Sequence, residues 1–150
     1  MSGLRHDGAP YLRDAVPGDA EVLGGLLQDW LDATPWMPRL HQRGQSVAFV
    51  RGLIGSHQVR VGLLPGGTGF LARQGGAVDA LYLSPGARGQ GLGKALLDEA
   101  KGQGALTLWT FQANLGARRF YAREGFRDVA WTEGAANDEH LPDVQLEWRL

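Results

Sequence analysis

The sequence contains no cysteine. A disulfide framework, a thiolate nucleophile and a Cys-ligated metal are therefore excluded. It has no basic excess: 15 Lys and Arg stand against 16 Asp and Glu, for a formal net charge of -1. General binding to nucleic acid or to an anionic membrane surface would show as such an excess. Neither partner is expected. No apolar run approaches the ~18 residues of a membrane-spanning helix. His6, His41, His57 and His140 are scattered, without metal-ligand spacing, so no metal is expected. The opening residues, MSGLRHDGAP, lack the apolar centre of a signal peptide. These absences make a cytoplasmic protein the expectation, with residues 1–9 loose and one domain over residues 10–150.

Apolar residues and glycine are plentiful. Hydrophobic residues make up 43% of the 150, with five Trp and five Phe, enough for one real core. The 23 glycines are spread through the chain and do not form a linker, which reads as a turn-rich domain.

The most informative stretch runs from Ala77 to Ala100. Val78, Leu81 and Leu83 belong to an apolar run dense enough for a buried strand. Ser84-Pro85-Gly86 stops it, because proline cannot donate to a ladder and glycine permits a sharp turn. Arg88-Gly89-Gln90-Gly91-Leu92-Gly93 follows, and then Leu92, Leu96 and Ala100 recur at helical spacing. A helix start leaves backbone N–H groups unpaired and carries the positive end of the macrodipole. Glycines remove the Cβ atoms that would hold a phosphate away, and Arg88 and Lys94 add charge at the same end. The pattern reads as a phosphate or pyrophosphate cradle on backbone amides; the bland alternative is a tight turn that merely needs glycine. A P-loop does not fit, because Arg88 and Ala95 stand where a glycine and a hydroxyl residue belong. A dinucleotide fingerprint matches at Gly89 and Gly91 but meets Lys94 at its third glycine.

The remaining elements follow in order. Tyr11 to Arg13 is a short strand. Pro17, Asp19 and Glu21 open a helix with an apolar face from Val22 to Leu31, weakened by Gly24-Gly25. Trp36 and Met37, bracketed by prolines, read either as a plug under a loop or as part of a pocket wall. Leu40 to Ile54 is a second helix. Gln58 to Leu64, Gly69 to Arg73 and the Val78 strand, joined by glycine turns, form an antiparallel meander. Ala105 to Phe111 is a strand after the central helix, so one parallel pair is expected. Asn114 caps a short helix that presents Ala117, Phe120 and Tyr121 on one face and ends at Gly125. Phe126 to Trp131 and Val144 to Trp148 are the last strands.

Arg88, Gly91 and Gly93 in the pattern R-x-x-G-x-G resemble the pyrophosphate loop of the GCN5-related N-acetyltransferases, the GNAT superfamily. Asn114, Ala117, Phe120, Tyr121, Gly125 and Phe126 resemble that superfamily's N-x-x-A-x-x-F-Y-x-x-x-G-F segment, and the element order resembles its fold. The resemblance covers roughly residues 10–150, with both motifs between residues 78 and 126. It implies an α+β fold whose mostly antiparallel central sheet contains one parallel pair and is flanked by helices. It implies acetyl-CoA, or coenzyme A, as cofactor. Leu81, Tyr82 and Leu83 are implied to lie along the pantetheine arm. Amides from Arg88, Gly89, Gln90, Gly91, Leu92 and Gly93 are implied to hold the pyrophosphate, with Lys94 beside them as a further cofactor-binding residue. Asn114 is implied to reach the arm, Tyr121 to protonate the leaving thiolate, and Arg123 to reach the adenosine phosphates along with Arg118 or Arg119.

The activity implied is acetyl transfer to a primary amine, on a small molecule or a peptide, by direct attack. The oxyanion would be met by N–H groups of the strand where it splays after Leu81. Asp79 is a candidate base beside Glu133, Glu139 and Asp143; no spacing singles one out. The loop from Thr132 to Pro142 is either a solvated acidic loop or a rim that recognises a cationic amine through Glu139 and Asp143. A non-catalytic acyl-CoA-sensing module is the alternative, as is an interaction domain that dimerises through its last strand. A homodimer is the family expectation.

Overall fold

The computed structural model describes residues 9–38 and 42–150. The expected loose stretch 1–9 lies outside them except for Ala9. The expected helix start at Leu40 lies outside too, as do His6 and His41.

Seven strands form one sheet among the described residues. They are β1 (Tyr11–Asp14), β2 (Gln58–Leu64), β3 (Gly67–Gln74), β4 (Ala77–Leu83), β5 (Leu106–Phe111), β6 (Arg127–Thr132) and β7 (Asp143–Trp148). Their order is β1-β2-β3-β4-β5-β7-β6. Every pairing is antiparallel except β4 with β5. The helices are α1 (Ala20–Asp32), α2 (Arg43–Ser56), α3 (Leu92–Lys101) and α4 (Leu115–Arg123). Among the described residues, none is long and apolar enough to cross a membrane. The α+β architecture with its single parallel pair is the expected one.

Each face of the sheet carries its own core. Leu23, Leu26 and Leu27 of α1 and Val50 and Leu53 of α2 pack on Val59, Val61, Phe70, Ala72 and Ala80. Leu92, Leu96, Leu97 and Ala100 of α3 and Tyr121 of α4 cover Leu71, Leu106, Leu108, Val144 and Leu146. Strand β3 feeds both cores: Phe70 and Ala72 enter one, Leu71 the other. A strand buried on both faces has no reason to alternate, which is why Phe70-Leu71-Ala72 is an unbroken apolar run.

Gly24 explains itself in the same way. It weakens α1 taken alone, yet a Cβ there would sit 2.5 Å from Val47 Cα of α2. The two helices therefore cross at backbone contact. Ser46 donates to Gln28 Oε1 at 2.6 Å and ties them further.

Candidate active site

The parallel pair positions the site. β4 and β5 pair only at Ala77 with Thr107 and Val78 with Leu108. Beyond that the strands part. The splay thus begins after Val78, earlier than the point after Leu81 that the sequence suggested, because Asp79 is an extra residue that bulges β4 against β3. A cavity of about 560 Å³ fills the gap.

The backbone along the gap follows from register. Ser84 donates its N–H to Thr68 at 2.8 Å. Successive residues in an antiparallel strand present their polar groups to alternate edges. Ala80 and Tyr82 therefore face β3, whereas Leu81 and Leu83 turn their N–H and C=O groups to the cavity. Leu81 and Leu83 thus differ from Tyr82, which offers the cavity its side chain only.

At one end stands the glycine turn. Gly91 has φ +83° and caps α3, a conformation that glycine adopts without strain. The N–H groups of Gly89, Gln90, Gly91, Leu92, Gly93 and Lys94 have no acceptor within the described protein. A Cβ at Gly89 or Gly91 would meet no protein atom within 4 Å, so space for a ligand lies over these amides. Arg88 and Gly93 line the cavity beside them, and the Arg88 guanidinium comes within 3.5 Å of the Leu83 carbonyl oxygen. Leu92 contributes only its amide, since its side chain is sealed in the core. Lys94 likewise offers its N–H more than its charge: Asp98 at 3.0 Å and Glu124 at 3.4 Å hold its ammonium and push its pKa up. Gln90 turns its side-chain amide back to the Gly86 carbonyl.

Asn114 caps α4, accepting from the Ala117 N–H at 3.1 Å, and its side-chain NH2 has no partner in the described protein. It lines the cavity together with Ala117, Phe120 and Tyr121. Tyr121 is 8% exposed, its ring wedged edge-to-face between Phe120 and Phe126. Its hydroxyl has no hydrogen-bond partner among the described residues, and no sealed polar side-chain atom among them lacks one. The hydroxyl therefore opens to the cavity. Burial first, then the neighbouring Tyr82, pushes its pKa well above the ordinary 10.0. The Tyr82 phenol is pushed up to about 12 by burial and by Glu139.

Asp79 and Asp143 both line the cavity. One Asp79 oxygen lies 2.7 Å from His57 Nε2, and His57 Nδ1 lies 2.7 Å from the Ser56 hydroxyl. The other Asp79 oxygen has no partner in the described protein. Asp143 accepts from the Thr132 hydroxyl and from Asn137 Nδ2, so both of its oxygens are engaged. Asn137 also grips both backbone groups of Leu141. The loop between β6 and β7 is thus folded onto the cavity, with Glu139 half-buried and Glu133 exposed.

Four expected residues stand apart. Met37 is 7% exposed and turns into the protein, off the cavity wall. Of its two readings, plug and pocket wall, this burial agrees with the plug. Trp36 does not line the cavity either but backs it, its ring 6.1 Å from Trp30 and 5.8 Å from Phe111. Arg123 is exposed on the last turn of α4, away from the cavity. Arg118 donates to Gln112, lies over Trp131 and pairs with Asp128, so it is committed to the fold.

Trp30, Phe111, Asn137 and His57 belong to the site without a site motif in the sequence. Trp30 looked like one more apolar residue of α1. Phe111 is the last residue of β5, a strand end beside a splay, which is a usable signal. His57 carries none: strands β2, β3 and β4 bring it beside Asp79 only after pairing.

The model of the acetyltransferase (GNAT) family matches residues 6–126. Comparison with curated protein sequences finds no match. Solved structures share the fold. YjaB from Escherichia coli, in its apo form, superposes with a TM-score of 0.77 at 23% identity, over 93% of this chain and 97% of that one. The yncA protein from Salmonella typhimurium, solved with its cofactor acetyl-CoA, gives 0.69 at 19% identity over 95% and 94%. A phosphinothricin acetyltransferase from Sinorhizobium meliloti in complex with acetyl-CoA gives 0.68 at 20% over 94% and 88%.

Proposed function

Because the chain belongs to the acetyltransferase (GNAT) family, we propose that it moves an acetyl group from acetyl-CoA to a primary amine by direct attack. Bound acetyl-CoA supplies a thioester carbonyl that an amine can attack, and a diphosphate by which it can be held. The observation that carries the reading is the run of six acceptor-free amides, Gly89 to Lys94, beside a cavity lined by Arg88, Gly93 and Tyr121, whose hydroxyl is unpartnered.

The residues divide the work. Free amides at a helix start, with Arg88 beside them, meet a diphosphate. Leu81 and Leu83 offer in-plane backbone groups to an amide-bearing arm, and the free NH2 of Asn114 faces the same space. Tyr121 stays protonated throughout the neutral range and can give its proton to a leaving sulfur. Asp79 fits the base best, because one of its oxygens is free to take the amine proton while His57 fixes the other. Asp143 has no oxygen to spare. The carboxylates around the cavity favour a small cationic amine.

The test is the melting temperature with and without saturating acetyl-CoA. A hundredfold excess over Kd adds about 2.7 kcal/mol, a rise of roughly 2–8 °C for a domain near this size. No rise with acetyl-CoA, CoA or longer acyl-CoAs removes the reading. A rise with no thiol release in a broad amine screen leaves an acyl-CoA-sensing module instead.

A further inference from the structure

The end of the cavity toward α1 differs in chemistry from the glycine turn. Trp30 of α1, Tyr82 of β4 and Phe111 of β5 line it. The Trp30 and Tyr82 ring centroids are 5.3 Å apart and meet edge-to-face. Trp36 closes the chain of rings behind them, between Trp30 and Phe111. All four side chains are half-buried. They are packed on one another, with surface left over for an occupant.

Negative charge stands at the same end. Asp143 lines the cavity, and its partners, Thr132 and Asn137, are neutral donors that orient the carboxylate without balancing its charge. Among the described residues no cation pairs with Asp143 or with Glu139, which lies close enough to act on the Tyr82 phenol. The unpartnered, deeply buried hydroxyl of Tyr121 opens into the same space.

An aromatic face attracts a cation, and it does so more strongly where water is excluded. A flat apolar body gains from the same rings by burial and edge-to-face packing. A carboxylate on the incoming molecule would meet Asp143 and Glu139 with like charge. A multiply charged chain would bring further cations, and with Asp79 and Asp143 given to the reacting nitrogen only Glu139 is left to answer them.

Resting on the transfer reading, we propose that the acceptor is a monocationic primary amine carried on a flat aromatic body and bearing no carboxylate. Its ring lies against Trp30, Tyr82 and Phe111. Asp143 draws its ammonium, and Asp79 takes the proton that frees the nitrogen for attack.

The experiment is calorimetric titration of the CoA-saturated protein with 2-phenylethylamine, n-butylamine, phenylalanine and spermidine. Steady-state turnover of each amine with acetyl-CoA is measured alongside. The expected result is binding of 2-phenylethylamine about tenfold tighter than n-butylamine, the scale of one edge-to-face ring contact with its burial. Phenylalanine and spermidine bind more weakly than 2-phenylethylamine. Trp30→Leu, which keeps the helix face apolar, removes the preference for the ring. Asp143→Asn, whose oxygen still accepts from Asn137 while its NH2 turns to the Thr132 hydroxyl oxygen, removes the discrimination against phenylalanine. Equal binding of 2-phenylethylamine and n-butylamine overturns the proposal. So does phenylalanine or spermidine binding as tightly, or no binding of any of the four. Cofactor binding is scored separately. Amine selectivity without acetyl-CoA binding defeats the transfer reading and leaves only a binding site for aromatic amines; turnover indifferent to the amine's body defeats this proposal alone.

Discussion

Replacing Tyr121 by Phe removes one oxygen and keeps the ring between Phe120 and Phe126, at centroid distances of 5.2 and 5.3 Å. The hydroxyl has no partner in the described protein, so its removal orphans no donor or acceptor. Neutral-pH stability should therefore change by less than about 0.5 kcal/mol. Turnover should fall about a hundredfold, the lower end for loss of a positioned proton donor, because a thiolate leaves tolerably well unaided. Acetyl-CoA affinity should stay within about twofold.

A second consequence separates charge from packing. The folded phenol holds its proton more tightly than the ordinary 10.0 of the unfolded chain. Its contribution is complete below that pH. It declines as pH rises above 10, because the unfolded state ionises first, with a slope of about 1.4 kcal/mol per pH unit. Tyr121→Phe should remove that slope and leave the share due to Tyr82. Thiol release reads turnover without background, since the protein has no cysteine. Urea melts at pH 7 and pH 11 read stability. Full activity from pH 6 to pH 9 would refute the proton-donor role. A variant that melts several kcal/mol early at pH 7 would refute the claim that the hydroxyl is free.

Two further substitutions test the parts that hold this arrangement. Gly91→Val puts a branched side chain at φ +83° over the open amides; it should cost about 1–2 kcal/mol of stability and abolish calorimetric acetyl-CoA binding, and an unchanged Kd with an intact fold would sink the cradle. Gly24→Ala should destabilise by about 1–3 kcal/mol in urea despite its better helix propensity, because the new Cβ meets Val47 backbone at 2.5 Å; a stabilised variant would show that α1 and α2 can part freely.

By itself the sequence determined what is local. The glycine turn was legible because glycines spaced by two at a helix start have a backbone consequence within a few residues, and φ is positive at Gly89 and Gly91. The Asn114 cap and the face carrying Ala117, Phe120 and Tyr121 were legible for the same reason, since 3.6-residue periodicity is a property of one segment. The strand of Val59 and Val61 showed its pleat, and the helix between two strands implied the parallel pair. Only the tertiary structure decided which elements become neighbours. A bulge at Asp79 set where β4 leaves β5. Three paired strands brought His57 to Asp79, residues 22 apart in the chain. A loop folded back through Asn137 put Asp143 against rings from α1, β4 and β5. Periodicity tells which way a side chain faces from its own element. It carries no record of what stands opposite, and the aromatic and acidic end of this cavity is built entirely from what stands opposite.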